Sequence, residues 1–169
     1  MPQQPLIIRP AMPDDADRVG QLAHHFADYL RSLGDMTDFA FDAQAYLRDG
    51  FGSRPSFFGI VVETESQIIG YLLYYPGYDT DRAVKLLHVA DLYVDERFRG
   101  RGAGRALMEE AAAIGRREGA SGLIWSVYSP NKAAAGFYKH IGARYVMELD
   151  WMYLDIDSGQ EVEEKRTGI

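Results

Sequence analysis

The chain has 169 residues, of which 47% are hydrophobic and 25% are charged, and this suits one domain with a buried core. It contains no cysteine, which excludes disulfides, thiolate metal sites and a cysteine nucleophile. With 25 Asp and Glu residues against 18 Lys and Arg residues, the formal net charge is −7, which argues against nucleic-acid binding. No segment approaches the ~20 apolar residues of a membrane helix, and the N-terminus does not resemble a secretion signal. We therefore expect a cytoplasmic protein that binds no membrane.

The first half of the chain predicts a strand, two helices and a hairpin. Pro13 and the acidic residues behind it mark a helix start, and apolar residues from Val19 to Leu33 then recur at helical spacing until Gly34. Two runs of β-branched and aromatic residues around a polar three-residue gap indicate the hairpin. The predicted elements are a strand at residues 6–9, helices at 13–34 and 42–48, and strands at 56–63 and 67–75.

The second half alternates strands with helices. The predicted elements are a strand at residues 86–94, a helix through Leu107 that ends near Gly119, a strand at 122–128, a short helix capped by Ser129 and stopped by Gly142, and a final strand or bent pair at 144–156. An antiparallel run of strands that leads into a βαβ unit predicts an α/β (α+β) fold, with a mixed, mostly antiparallel sheet of six or seven strands flanked by about four helices. We expect a single domain over residues 1–157 and a polar tail at 158–169.

The stretch "RFRGRGAGRAL", residues 97–107, lies between a predicted strand and a predicted helix. A helix start presents unpaired N–H groups, and glycines let the backbone curl so that several of these groups point at one anion, typically a phosphate. The stretch matches neither common nucleotide motif. Arg105 and Ala106 follow Gly104 where a P-loop needs Lys and Ser or Thr, and Arg105 also holds the third glycine position of a dinucleotide fingerprint.

The spacing Arg99-x-x-Gly102-x-Gly104 resembles the acetyl-CoA signature of the GCN5-related N-acetyltransferases, the GNAT family. The segment "NKAAAGFYKHIGA", residues 131–143, resembles the family's next motif, in which an Asn is followed seven residues later by a Tyr. The resemblance covers residues 6–156 and is nearest to the diamine/polyamine and aminoglycoside acetyltransferase branches. It implies the GNAT acyl-CoA N-acyltransferase fold and an N-acetyltransferase with acetyl-CoA as cosubstrate.

The resemblance also implies which residues bind acetyl-CoA. Backbone N–H groups of residues 99–104 would hold the pyrophosphate, with positive charge added by Arg101 and Arg105. The strand backbone before them would pair with the pantetheine arm. Asn131 would contact the pantetheine or the backbone on the adenine side, or be only a helix cap. The implied cofactor-binding residues are Leu92, Tyr93, Val94, Arg99, Gly100, Arg101, Gly102, Ala103, Gly104, Arg105, Asn131, Ala134, Phe137 and Tyr138.

The chemistry of acetyl transfer sets the remaining roles. A lysine-like amine, with a pKa of ~10.4, must lose a proton, the thioester carbonyl must be polarised, and the leaving thiolate must be stabilised. Without a cysteine, direct attack on acetyl-CoA is simpler than a covalent acetyl-enzyme. The resemblance makes Tyr138 the acid, with a core aromatic as the alternative. It makes the N–H of Val94, where this strand bulges in the family, the carbonyl donor.

Asp91 is the candidate base or amine anchor, with a solvated acid at a strand end as the alternative. Strand alternation puts the odd-numbered residues of 91–95 on one face and the even-numbered residues on the other, unless a bulge shifts the count. An acid at this position is familiar in the polyamine and aminoglycoside branches. His88 and Glu65 are reserve bases.

The expected acceptor is a small molecule with a cationic amine. In the family the first two helices and the final strands form the acceptor groove, and residues 28–49 here carry five Asp against two Arg, with aromatics interleaved. This suits a polyamine, a lysine-like amine or an amino sugar, with a solvated loop as the alternative. Ala90 stands where the polyamine branch often has a second acid.

Other functions stay open on the sequence alone. They are a protein or peptide N-acetyltransferase, a non-catalytic CoA-binding sensor, and O-acetyl transfer. The four histidines show no metal-ligand spacing, so we expect no metal. The resemblance to the GNAT family also implies a homodimer.

Overall fold

The computed structural model describes residues 5–146 and Met152, and these contain five strands and four α-helices. Short 3₁₀ turns at Pro13–Asp15 and Glu96–Phe98 precede the first and third helices. The elements in chain order are β1 (Ile7–Pro10), α1 (Ala16–Ser32), α2 (Ala43–Gly50), β2 (Phe58–Thr64), β3 (Gln67–Asp79), β4 (Val84–Val94), α3 (Ala103–Arg117), β5 (Ala120–Ile124) and α4 (Lys132–His140). None of these helices is long and apolar enough to cross a membrane.

The strands lie side by side in the order in which they occur along the chain. β1 to β4 pair antiparallel, and β5 pairs parallel to β4, so α3 makes the crossover that parallel neighbours need. The predicted α/β (α+β) fold, with a mixed, mostly antiparallel sheet and four flanking helices, is confirmed, although the described residues hold five strands rather than six or seven. The strand predicted at residues 144–156 lies mostly outside the described residues, and residues 144–146 are not in a strand.

The two faces of the sheet pack against different helices, because side chains alternate along a strand. Ile60 and Val62 of β2 belong to the cluster that holds Leu107 of α3. Val61, between them, belongs to the opposite cluster, with Leu22 of α1. Each fully buried aliphatic side chain contributes about 1.5–3 kcal/mol, so both faces of the central strands are firmly held.

The helix starts follow capping chemistry, with one correction. Asp42 caps α2, and its side chain accepts a hydrogen bond from the N–H of Ala45 at 2.8 Å. The prediction that Ser129 caps α4 is wrong. The cap is Asn131, whose Oδ1 accepts from the N–H of Ala134 at 3.1 Å. Ser and Asn cap comparably well, so the local sequence does not separate them.

β5 is shorter than predicted and ends at Ile124 rather than at residue 128. Its pairing with β4 runs from Lys85 to His88 on the β4 side. β4 itself continues to Val94, so residues 89–94 extend past β5. This difference positions the candidate site.

Candidate active site

A gap opens where β4 and β5 separate. β4 stays paired with β3 as far as Val94, whereas its pairing with β5 stops at His88 and Ile124. Within the described part of the chain, residues 89–94 therefore have a strand neighbour on one side only. The gap lies at the carboxyl end of two parallel strands, which is where open α/β sheets bind ligands.

An extra residue in β4 accompanies the separation. Leu73 pairs with Asp91 and the next residue, Tyr74, pairs with Val89, so Ala90 has no opposite residue on β3. The resemblance to the family predicts a bulge at Val94. The bulge is instead at Ala90, four positions earlier, and Val94 lies in register with Gly70. Beyond the bulge the predicted alternation holds, since Tyr93 packs in the α1 cluster and Val94 in the α3 cluster.

The register shows which backbone groups of β4 face the gap. The N–H of Asp95 donates to the carbonyl of Ile69 on β3 at 2.8 Å. Bonded and non-bonded pairs alternate in an antiparallel ladder, so Tyr93 is bonded to β3 while Leu92 and Val94 turn their N–H and C=O groups away from it. Of the three residues predicted to bind pantetheine, Leu92 and Val94 therefore present backbone groups to the gap and Tyr93 does not.

The glycine-rich stretch curls at the N-terminus of α3. Gly100 and Gly102 have φ values of +74° and +85°, which favour glycine, and a Cβ added at either would meet nothing within 4 Å. The six consecutive N–H groups of residues 100–105 donate no hydrogen bond to any residue that the structure describes. The helix ladder begins with Ala106, whose N–H donates to the carbonyl of Gly102 at 2.9 Å. Six such donors at the positive end of a helix can hold an anion.

Arg99 requires a correction to the predicted pyrophosphate site. Its N–H donates to the carbonyl of Glu96 at 3.2 Å, so the unused amides begin one residue later than predicted, at Gly100. Its side chain is also committed, since Nε donates to the carbonyl of Val94 at 3.1 Å and the guanidinium lies 4.8 Å from the ring centre of Tyr29. The sequence could not predict these contacts of Arg99, because its partners Val94 and Tyr29 come close to it only in the folded protein.

Two other arginines of the stretch lie at the surface. Arg101 packs over the ring of Phe98 at 5.3 Å, and Arg105 pairs with Glu109, one helical turn later, at 3.3 Å. Both side chains are exposed. Arg101 and Arg105 are therefore the side chains that can add positive charge near the amides.

Asp95 fixes the start of the stretch and is only 4% exposed. Its carboxylate accepts hydrogen bonds from the Arg97 side chain at 2.6 and 3.0 Å, from the Arg97 N–H at 3.1 Å, and from Arg18 of α1 at 3.4 Å. The Arg97 guanidinium is the main reason that the pKa of Asp95 is held at about 2. Asp95 is absent from the predicted site residues. Its bond to the N–H of Arg97, two residues later, is an Asx turn, and an Asp directly after a predicted strand is the sequence signal for such a turn.

Asp91 lies in a half-buried, hydrogen-bonded position on the α1 side of β4. It accepts a hydrogen bond from the hydroxyl of Tyr71 at 2.5 Å. Burial raises the pKa of Asp91 to about 6, while the Tyr71 hydroxyl and the N–H of Leu92 oppose the rise because they stabilise the charged form. A carboxylate with this pKa is charged at neutral pH and is well matched to accept a proton.

Tyr138 lies on α4, across the gap from β4. It is half-buried against Trp125, with ring centres 4.9 Å apart. Burial, and after it the negative charge of Asp91, raises the pKa of Tyr138 to about 12. The two predicted catalytic side chains therefore lie within electrostatic range of each other.

The neighbours of Tyr138 on α4 have separate tasks. Phe137 packs against α3, and its Cζ lies 3.4 Å from a Cβ added at Gly104, so a glycine there lets the two helices approach. Asn131 is 6% exposed, and its Oδ1 accepts hydrogen bonds from the Ala134 N–H at 3.1 Å and from the Tyr29 hydroxyl at 3.0 Å. The cap interpretation of Asn131 is therefore correct, and the N–H of Ala134 is already bonded.

Most of the acids predicted to bind a cationic acceptor serve local structure. Asp28 pairs with Arg31 at 2.8 Å, Asp35 accepts from the Thr37 hydroxyl at 2.6 Å, Asp42 caps α2, and Asp49 pairs with Arg48 at 2.6 Å. Of the reserve bases, His88 is hydrogen-bonded to Tyr75 at 2.9 Å and Glu65 is exposed in the turn between β2 and β3. These contacts favour the solvated-loop interpretation of the acidic segment.

The divided sheet and the amide-lined turn fit the acyltransferase class that the sequence resemblance implies. Residues 21–143 match the acetyltransferase (GNAT) family, and the chain belongs to this family. It is 29% identical over 153 residues to thialysine N-epsilon-acetyltransferase of Bos taurus, a match that covers 86% of this chain and 88% of that protein. Family and relative together show an N-acetyltransferase.

Solved structures share the fold. A tetramutant of a Bacillus halodurans protein is similar, with a TM-score of 0.74, 24% identity, and coverage of 89% of this chain and 99% of that one. An aminoglycoside acetyltransferase from an uncultured soil metagenomic sample, in complex with trehalose, has a TM-score of 0.70, 19% identity, and coverage of 89% and 96%.

We expect Asp95→Asn to destabilise the protein at neutral pH by about 1–2 kcal/mol, because Arg18 and Arg97 lose a charged acceptor. The native pKa of about 2 lies below the ordinary 3.8, so the stabilisation is complete above about pH 4 and is lost as the pH falls through 2. Urea unfolding of both proteins at pH 7 and pH 3 measures this, and the difference in free energy of unfolding should shrink at pH 3.

Asp28→Asn is the matched control, because it removes an exposed carboxylate paired with Arg31. It should change the free energy of unfolding by less than ~0.5 kcal/mol. An equal loss for Asp95→Asn at both pH values would contradict the assigned role of the charge.

Proposed function

We propose that this N-acetyltransferase moves an acetyl group directly from acetyl-CoA to the primary amine of a small cationic acceptor. The observation that supports it most is the run of six unused N–H groups at residues 100–105, at the start of α3 and beside the gap. A diphosphate has the charge and the acceptor oxygens that such a run of amides needs. Membership of the GNAT family supports the same cosubstrate.

The residues present fit acetyl-CoA. Residues 100–105 would hold the pyrophosphate, with Arg101 and Arg105 adding charge. Leu92 and Val94 would bind the pantetheine arm as an added strand through the groups that they turn toward the gap. Two groups are excepted, because Arg99 bonds the carbonyl of Val94 and the carboxylate of Asp91 accepts from the N–H of Leu92. When bound, acetyl-CoA supplies an acetyl group that is activated for attack.

The chain's own residues supply the proton transfers and the polarisation. Asp91 accepts the proton of the amine, directly or through water, and its charge attracts a cationic acceptor. The N–H of Val94 polarises the thioester carbonyl. Tyr138 donates a proton to the departing thiolate, since a pKa of about 12 keeps its hydroxyl protonated until that moment. Solvent then restores both side chains.

We propose a polyamine, a lysine-like amine or an amino sugar as the acceptor. The 29% identity to a thialysine N-epsilon-acetyltransferase supports an amine acceptor. A cleft of about 460 Å³ between α1 and the end of β4 also supports it, because its walls include Tyr29, Tyr93, Asp28 and Glu96, which suit a cation. Arg97 lines the cleft as well, and its charge is paired with Asp95. We further propose a cytoplasmic homodimer, to be tested by light scattering and cell fractionation.

Purified protein should release free thiol from acetyl-CoA when a suitable amine is present. The assay uses a panel of polyamines, lysine-like amino acids, aminoglycosides and peptides. Tyr138→Phe should lower kcat about 10²-fold and leave CoA affinity unchanged, because it removes only the acid. Turnover of peptides alone would replace the proposal by a peptide acetyltransferase, and CoA binding without any turnover would replace it by a sensor.

Gly102→Ala should weaken CoA binding about tenfold or more by calorimetry, because its methyl group would occupy space left for the pyrophosphate. Apart from its chain neighbours, no atom of the described residues lies within 4 Å of that methyl group. Gly119→Ala is the matched control, since Gly119 has a φ of +76° and equal room at the other end of α3. Both variants carry a similar backbone strain, so only their CoA affinities should differ. Equal losses of affinity would refute the pyrophosphate site.

The value of kcat/KM should rise with pH through about 6, because Asp91 must be charged to accept a proton. Asp91→Asn should lower kcat about 10²-fold or more and should abolish the rise of kcat/KM between acidic and neutral pH. The amide oxygen of the new side chain can still accept the hydrogen bond from Tyr71. His88→Gln is the control, because His88 is a reserve base on the same strand, and burial lowers its pKa from the ordinary 6.5. If His88→Gln rather than Asp91→Asn removes the rise, the base is assigned wrongly.

A further inference from the structure

The helix that carries Tyr138 is tied to the rest of the protein by few polar contacts. The sheet pairing of its chain segment ends at Ile124. Across residues 5–146, the hydrogen bond from the Tyr29 hydroxyl to Oδ1 of Asn131, at 3.0 Å, is the one side-chain hydrogen bond that joins residues 125–146 to the preceding chain. Among the described residues, α4 is therefore held by apolar packing and by this one directional contact.

The ring of Tyr29 makes a second contact, on the other side of the gap. The guanidinium of Arg99 lies over it at 4.8 Å and over the ring of Tyr93 at 5.4 Å. Arg99 in turn donates from Nε to the carbonyl of Val94, the last residue of β4. Tyr29 thus connects the end of β4 to the cap of α4 by a chain of contacts through Arg99 and Asn131.

We infer that Tyr29 is a positioning residue that sets the distance between β4 and α4 across the gap. Its hydroxyl places Asn131 and, through the helix, Tyr138. Its ring places Arg99 at the entrance to the amide-lined turn. The inference rests on the proposed function for the roles of Tyr138 and the turn, and it assigns their alignment to a residue on a third element, α1.

Two variants separate the two contacts. Tyr29→Phe keeps the ring and removes the hydroxyl, so kcat should fall about tenfold through misplacement of Tyr138, with CoA affinity nearly unchanged. Tyr29→Leu removes both contacts, so CoA affinity should fall in addition, by about threefold or more. Tyr78→Phe is the control, because Tyr78 is 62% exposed on β3, and kcat and affinity should not change.

Hydrogen exchange supplies a readout independent of turnover. In Tyr29→Phe the amides of residues 132–140 should exchange about tenfold faster, while those of α3 and the central strands keep their rates. Uniformly faster exchange would instead indicate a general loss of stability and would overturn the inference. So would an increased KM for the amine with unchanged kcat, because Tyr29 also lines the cleft and would then be an acceptor contact.

The outcomes distinguish this inference from the proposed function. If the wild-type protein acetylates no amine, the proposed function fails, and exchange in α4 still decides whether Tyr29 holds the helix. If the wild type acetylates an amine and Tyr29→Phe matches it in kcat and exchange, only the role of Tyr29 is refuted.

Discussion

The separation of β4 from β5 is the constraint on which the site depends. A strand inside a sheet has both edges bonded to neighbours and offers a ligand no backbone groups. Here β3 holds one edge of β4 as far as Val94, while pairing on the other edge stops at His88. The extra residue at Ala90 turns Leu92 and Val94 so that their side chains pack under α3 while their backbone groups face the gap. If β5 were longer, it would form hydrogen bonds with the backbone groups of Leu92 and Val94 and leave none for a ligand. Without its pairing to β3, this part of β4 would have no fixed conformation.

The arginine-rich turn follows from the same need for an ordered backbone with unused donors. Six neighbouring N–H groups without partners carry like partial charges, so other contacts must hold the turn before an anion arrives. Asp95 provides them by binding Arg97 within the turn and Arg18 on α1. Arg99 is bonded to the carbonyl of Val94, while Arg101 and Arg105 are exposed and bond no backbone group of the described residues. An acidic protein therefore gathers arginines here for two reasons, since some build the turn and others can face the anion.

Features set by neighbouring residues could be predicted from the sequence. The turn at Gly102 and Gly104 is one of them, because helix starts and glycine conformations are local properties. The choice of Asn131 over Ser129 as a cap could not be predicted, since both types cap well and the buried Asn131 is also bonded to Tyr29, 102 residues away. The bulge at Ala90 is defined only against a partner strand, and so is the end of β5. The commitment of Arg99 to Val94 required the folded turn.

Helix α1 braces both sides of the gap, so the helix that the sequence assigned to the acceptor also contacts the elements that we propose for binding acetyl-CoA. Arg18 reaches the carbonyl of Ile68 at 2.9 Å and Asp95 at the start of the turn, Phe26 packs on Tyr93 at 5.5 Å, and Tyr29 bonds Asn131. These contacts come from the inner side of the helix. The outer side, with His25 and Asp28, forms part of the cleft. Under the proposed function, substitutions on the outer side should alter which amine binds without disturbing the contacts of Arg18, Phe26 and Tyr29.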